Sequence, residues 1–170
     1  MKELTTKRLL LRLPQAADKH TLVEHLSDFD VVKWLSNIPT PYTESDAVEW
    51  IELVSRNLRD EKPGLQPSIF MDEALIGGVG LRHVDDDVYE LGYWLTKSHW
   101  GQGLATEAAR ELIRYGQEHL THPRIIAHCM KGNAASQSVL KKLGFAVIDD
   151  VEIYSMPRQR LMPSLKLSLL

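Results

Sequence analysis

The sequence predicts a mixed α/β fold in one domain spanning residues 1–170, and three observations carry that prediction. Short apolar segments in the first half alternate with a period of two, as half-buried strands do. Two longer segments, near 104–120 and 134–143, repeat apolar residues at three- and four-residue spacing, as amphipathic helices do. In the second half strand, helix, strand, helix and strand follow one another, an order that builds a sheet with helices packed on it.

Leu9 to Leu13 reads as a short strand, with Leu9, Leu11 and Leu13 alternating against Leu10 and Arg12. Pro14 ends it and opens a helix from Gln15 to Leu26, with Ala16, Leu22, Val23 and Leu26 on one side. Val31 to Trp34 is a short amphipathic piece ahead of the turn-rich run Ser36-Asn37-Ile38-Pro39-Thr40-Pro41. Thr43 is the N-cap of the next helix, and Asp46 three residues on completes a short-armed capping box. That helix runs to about Leu58 and places Ala47, Trp50, Ile51, Val54 and Leu58 on a core stripe. Pro67 to Met71 and Leu75 to Leu81 form a hairpin that turns at Asp72-Glu73, and Val88 to Leu95 is a third strand. A helix from about Leu104 to Leu120 buries Ala105, Ala108, Ala109, Leu112, Ile113, Gly116 and Leu120. Arg124 to Met130 is a strand, Ala134 to Leu143 a helix closed by Gly144, and Phe145 to Ile153 and Leu165 to Leu169 the last strands.

Composition narrows the function classes. Hydrophobic residues at 44% and charged residues at 25% are ordinary for a globular chain. No stretch approaches the roughly 18 apolar residues of a membrane helix, and Leu9-Leu10-Leu11 is too short for a signal-peptide core. Cys129 is the sole cysteine, so no intramolecular disulfide can form and a reducing cytoplasm fits. Twenty basic and 23 acidic residues leave a net charge of -3 without a basic block, which points away from nucleic acid and anionic membranes. Asp85-Asp86-Asp87 reads as a solvated turn. His119 and His122 at a helix end are two ligands short of a metal site, and His128 and Cys129 point to opposite faces of one strand, so no metal is expected. Trp34, Trp50 and Phe29 at helical spacing read first as core, and second as the lining of a substrate cleft.

The chemistry centres on one turn. After the strand ending at Leu95, the segment Thr96–Trp100 leads to Gly101-Gln102-Gly103-Leu104-Ala105 and then a helix. A helix N-terminus carries unpaired N–H groups and the positive end of the helix dipole, and small residues let backbone amides approach an anion. A Rossmann turn wants a third glycine or alanine where Thr106 stands, and no Gly-Lys-Ser/Thr is present for a Walker loop. Taken alone the turn is either an anion site or a strand–helix connection using glycine for its geometry.

The segment Trp100-Gly101-Gln102-Gly103-Leu104-Ala105-Thr106-Glu107-Ala108 resembles the coenzyme A loop of GNAT-superfamily N-acetyltransferases, in particular the RimJ/RimL-type branch. Gly103 and Ala105 match the superfamily pattern Arg/Gln-x-x-Gly-x-Gly/Ala, and Trp100 replaces its opening residue, a departure common in that branch. Thr6 to Arg12, Pro39 to Thr43, Leu91 to Leu95, and Asn133-Ala134-Ala135-Ser136 with Lys142-Leu143-Gly144-Phe145 resemble further segments of the same branch in the same order.

The resemblance implies a mostly antiparallel mixed sheet with splayed central strands and about four helices. It implies an acetyl-CoA-dependent N-acetyltransferase, with a dimer known in the family. The pantetheine arm would pair with Trp94, Leu95 and Thr96, and the pyrophosphate would meet the amides of Gln102, Gly103, Leu104, Ala105 and Thr106, within the loop begun by Trp100 and Gly101. Asn133 and Ser136 would contact the cofactor, and Ser136 could donate a proton to its sulfur. Glu90 is the candidate base, a partly buried carboxylate whose pKa burial would raise; an outward-facing strand residue is its alternative. The second motif lacks the tyrosine acid that many superfamily members have, leaving Tyr93 and Tyr154 as substitutes. The acceptor expected from the branch is a protein N-terminal α-amine, against a small amine or polyamine, or a non-catalytic acyl-CoA sensor. Its specificity is assigned to Val31–Tyr42 and to the loop around Met156–Arg160.

Overall fold

The computed structural model describes residues 3–170. The strands are β1 (Leu4–Thr5), β2 (Leu10–Arg12), β3 (Gly64–Leu65), β4 (Ser68–Met71), β5 (Ala74–Asp85), β6 (Val88–Leu95), β7 (Arg124–Met130), β8 (Phe145–Ser155) and β9 (Arg160–Leu169). The helices are α1 (Lys19–Leu26), the single turn α2 (Phe29–Val32), α3 (Glu44–Arg59), α4 (Leu104–His119) and α5 (Ala134–Leu143). One sheet takes in all nine strands in the order β1-β2-β4-β5-β6-β7-β9-β8, with β3 also on β5. Of the neighbouring pairs only β6 and β7 run parallel.

Alternation along the strands splits the apolar residues between two cores. Leu11, Ile69, Ile76, Leu91 and Leu95 face α4 and α5, whose Leu104, Ala108, Leu112 and Leu140 fill that side. Their neighbours Leu10, Phe70, Leu75 and Trp94 face the other way, onto Leu22 and Leu26 of α1 and Ala47 and Ile51 of α3. The cleft described below opens between these two halves. Gly116 lets α4 approach the sheet: a Cβ there would come within 2.6 Å of Leu81 Cδ1.

Most predicted elements stand where the residue pattern puts them, including the capping box, in which Thr43 N–H donates to Asp46 Oδ2 at 2.7 Å. Four details differ. The helix expected from Gln15 begins as a tight 3₁₀ turn over Ala16–Asp18. Arg12 holds the Asp18 carboxylate with two bonds of 2.8 and 2.9 Å, and the Gln15 amide donates to the same group, which fixes the turn. Leu58 is 48% exposed, because α3 passes beyond the sheet at its C-terminal end. The last strand is twice its expected length, since Pro163 and the exposed Leu161 hide its alternation. Trp34, read first as core, lines the cleft, Trp50 both packs on the core beneath α1 and α3 and lines the cleft, and Phe29 is 51% exposed.

Candidate active site

Backbone pairing shows where a cleft must form. β6 and β7 pair from Val88↔Arg124 to Leu91↔Ala127, and the register stops there. Beyond that point β6 stays on β5 (Trp94↔Gly78, Leu95↔Gly77) and β7 stays on β9 (His128↔Lys166, Met130↔Ser164). The two strands therefore diverge into a V whose inner edges carry unpaired backbone groups. A cavity of about 1080 Å3 occupies the V and continues to both faces of the sheet.

At the donor end, Gly101 and Gly103 sit at φ +74° and +76°, conformations that side chains with a Cβ rarely adopt. Gly103 is the N-cap of α4 and offers no side-chain acceptor, so the first-turn amides at Leu104, Ala105 and Thr106 are left open. α5 also begins at the cavity but caps itself: Asn133 Oδ1 accepts from Ser136 N–H at 3.1 Å. An anion entering the cavity therefore meets free amides at α4. Arg8 lies beside this turn, donating to the Gln102 carbonyl at 3.1 Å and pairing with Glu107 at 2.6 Å. Burial works to raise the Glu107 pKa, but the bonds from Thr6 and Arg8 outweigh it and hold the carboxyl below its usual value. A second hollow of about 700 Å3 shares Gly103 and Thr106 with the main cavity and carries Lys7, Arg8, Arg110 and Lys142. This cationic rim was legible in the sequence only as scattered surface charge.

Most of the expected cofactor residues reach the cavity: Trp94 and Leu95 on β6, Trp100, Gly101, Gly103, Leu104, Ala105 and Thr106 in the turn, and Asn133 and Ser136 at α5. Thr96 and Gln102 are not among the lining residues, although the Gln102 bond below is made by its side chain and leaves the backbone amide expected at the pyrophosphate untouched. The Thr96 amide donates to the Ile76 carbonyl at 2.8 Å, and the Gln102 carboxamide donates to the Ser98 carbonyl at 3.1 Å. The Trp100 indole donates to the Leu95 carbonyl at 2.8 Å, which ties the turn to the end of β6. Gly78 leaves room for the Trp94 indole, whose Nε1 would lie 2.7 Å from a Cβ at that position.

At the middle of the cavity, Tyr93 on β6 meets Ser136 on α5, hydroxyl to hydroxyl, at 2.9 Å. Burial pushes the Tyr93 phenol far above its ordinary value, so it stays protonated at neutral pH. Cys129 is buried nearby, and burial likewise keeps it as a thiol. On the opposite face Glu90 corrects the expectation of a raised pKa. Its burial does push upward, but the bonds and charges of His128 and Arg82 prevail and lower it. His128 Nδ1 lies 2.7 Å from one carboxylate oxygen, and Arg82 pairs with the other.

The acceptor end is assembled from distant segments. Trp34, Trp50 and Tyr42 line it, with Asp46, Glu49 and Glu52 of α3. The loop after β8 docks on the 33–36 segment: Arg158 Nε donates to the Lys33 carbonyl at 2.8 Å, and Met156 N–H to that of Ser36 at 2.8 Å. The Arg158 guanidinium stands 5.3 Å from the centre of the Trp34 ring. The two segments to which specificity was assigned thus touch each other, and the 31–42 segment is the one that lines the cavity. Tyr154, the other candidate acid, is 54% exposed. His119 Nδ1–H donates to the Tyr115 carbonyl at 2.9 Å, and its ring stacks on the Tyr115 ring. No helix among the described residues is long and apolar enough to cross a membrane.

Comparison with known proteins agrees with this geometry. Residues 8–146 match the model of the acetyltransferase (GNAT) domain. The chain is 34% identical to the uncharacterized N-acetyltransferase p20 of Bacillus licheniformis, over 100% of this chain and 97% of that protein. It is 28% identical to the ribosomal-protein-serine acetyltransferase of Escherichia coli (strain K12), over 51% of this chain and 57% of that one. The crystal structure of a GNAT-family acetyltransferase from Bacillus anthracis superposes with a TM-score of 0.81 at 23% identity, covering 99% of this chain and 98% of that one. The chain belongs to the GNAT acetyltransferase family, on its RimJ/RimL-type side, and acetyl-CoA is the donor of that family.

Proposed function

We propose that this acetyltransferase moves the acetyl group of acetyl-CoA onto the N-terminal α-amine of a protein or peptide in the cytoplasm, by direct attack of the neutral amine. The observation that carries the reading is the V between β6 and β7, which joins an anion-ready helix start to a separate mouth lined by aromatic and acidic side chains. The donor end fits coenzyme A: open amides and Arg8 suit the pyrophosphate, and unpaired strand edges suit the pantetheine amides. Ser136, held by Tyr93 and lining the cavity, is the hydroxyl assigned to hydrogen-bond the leaving sulfur and hand it a proton. The Glu90 carboxylate, on the strand that borders the V, supplies the negative charge on the side of the cavity to which the attacking amine loses its proton.

An α-amine suits this site on simple protonation grounds. At pH 7 roughly a tenth of free α-amines are neutral, against fewer than about one in a thousand lysine side chains. An open cavity wall formed by Trp34, Tyr42 and Trp50, with Arg158 resting on the Trp34 ring, suits a chain end. The name of the Escherichia coli relative points the same way. A second reading, a small polycationic amine, is favoured by Asp46, Glu49 and Glu52 on the cavity wall. Thiol release from acetyl-CoA, measured over N-terminal peptides, polyamines, amino acids and aminoglycosides, separates them. The proposal expects the highest kcat/KM with peptide N-termini. Turnover of polyamines or aminoglycosides alone would replace it with the second reading, and coenzyme A binding without any turnover would make the chain a sensor.

A further inference from the structure

We infer that His128, and not Glu90 itself, is the atom-level base of this site: the imidazole Nε2 takes the proton of the attacking amine while the Glu90 carboxylate holds Nδ1–H. The inference rests on the acetyl-transfer reading above and refines it.

The argument is positional first. Leu91↔Ala127 is the last pair between β6 and β7, so His128 is the first β7 residue beyond the vertex of the V. Glu90 is the residue before the vertex on β6. Both line the cavity, and both side chains are largely but not wholly enclosed, at 24% and 21% exposure. A thioester lying in the V therefore has this pair at its base.

Hydrogen bonding then assigns the roles. One Glu90 oxygen is engaged by Arg82 and the other lies 2.7 Å from His128 Nδ1. An ionised carboxylate only accepts, so Nδ1 must carry the hydrogen, and the neutral ring keeps its lone pair on Nε2. No hydrogen bond to Nε2 exists among the described residues, and no buried side-chain nitrogen there lacks a partner. Nε2 consequently opens on the cavity. Glu90, with both oxygens committed, is poorly placed to receive a proton directly; its lowered pKa agrees with that. The charged groups around the ring are Glu90 from β6, Arg82 from β5 and Lys166 opposite it on β9, with Glu49, Glu52 and Arg56 of α3 across the cavity.

The step balances without a further reactant. The amine nitrogen forms its bond to the acetyl carbon and its proton passes to Nε2; the carbon–sulfur bond breaks and the thiolate takes the Ser136 hydroxyl proton, which solvent water replaces, while the imidazolium returns its proton to water, so that one proton moves in net from nitrogen to sulfur. Glu90 and Arg82 are positioning residues: the first fixes the tautomer and steadies the imidazolium, and the second keeps the carboxylate ionised.

The test combines tautomer and turnover. Histidine 15N–1H long-range spectra of the free protein should show His128 with its proton on Nδ1, and Glu90→Gln should return it to the Nε2–H form. His128→Ala should lower kcat about 100-fold or more. Its coenzyme A affinity should stay within about threefold, and added imidazole should restore part of the rate. An Nε2–H tautomer in the wild type would overturn the inference. So would a His128→Ala enzyme with near-normal kcat, or one that imidazole leaves unrescued. If wild-type protein turns over no amine at all, the acetyl-transfer reading itself fails, a result distinct from these.

Discussion

The two ends of the cleft are built by different means. The donor end is backbone: two left-handed glycines, three open amides and the unpaired edges of two diverging strands, all contributed by segments close together in the chain. The acceptor end is side chain: Trp34, Trp50, the Arg82–Glu90–His128 group and the docked loop at Arg158, gathered from elements up to 125 residues apart. Backbone recognition demands particular dihedral angles and tolerates few sequences, whereas a side-chain mouth can change residue by residue while the sheet behind it stays fixed.

Substitutions should separate the two ends. Gly103→Val strikes the donor end hardest, because a β-branched residue at φ +76° costs on the order of 1–3 kcal/mol and deforms the turn. Calorimetry with coenzyme A should show binding weakened at least about 100-fold, equivalent to roughly 2.7 kcal/mol. Ser136→Ala and Tyr93→Phe act between the ends. Each should lower kcat about 10- to 100-fold, below the usual ceiling for a positioned proton donor, with coenzyme A affinity nearly unchanged. Trp34→Ala should raise KM for the amine about threefold to tenfold, because it removes a cavity-lining ring together with the roughly 1 kcal/mol Arg158–ring contact that steadies it, and leave KM for acetyl-CoA alone. A change in acetyl-CoA KM from Trp34→Ala would break the separation.

The smallest expected effect concerns acid stability. Glu90 has a folded pKa below its ordinary 4.5, so its pairing stabilises the fold above that pH and the contribution is lost as pH falls through the lower folded value. Thermal melts should therefore show Glu90→Gln losing less stability than the wild type on acidification below about pH 4.5.

The same contrast explains what the residues revealed in advance. Gly101, Gly103 and the periodic face of α4 impose local rules, so the turn, its helix and the flanking strand were legible from short stretches. The capped α3 and the Gly144 stop of α5 were legible for the same reason. Nothing local ties Arg8 to Glu107, 99 residues away, or His128 to Glu90, 38 residues away. Glu90 was visible as a carboxylate beside the donor strand, yet its pKa direction depended on two partners that only the register of β5, β6 and β7 brings to it. His128 stood in the sequence as one member of a failed metal pair with Cys129; what was missing was the vertex of the V, a property of pairing between strands. Burial could be anticipated, but the outcome of burial against ion pairing could not.

Product analysis tests the whole account most directly. A peptide with one free N-terminus and one internal lysine is incubated with the protein and acetyl-CoA, and the acetylated nitrogen is mapped by fragmentation mass spectrometry alongside thiol release. The account expects one acetyl group per thiol released, carried on the α-nitrogen. Acetylation confined to the lysine side chain, or no amine-dependent thiol release from protein that binds coenzyme A, would contradict it.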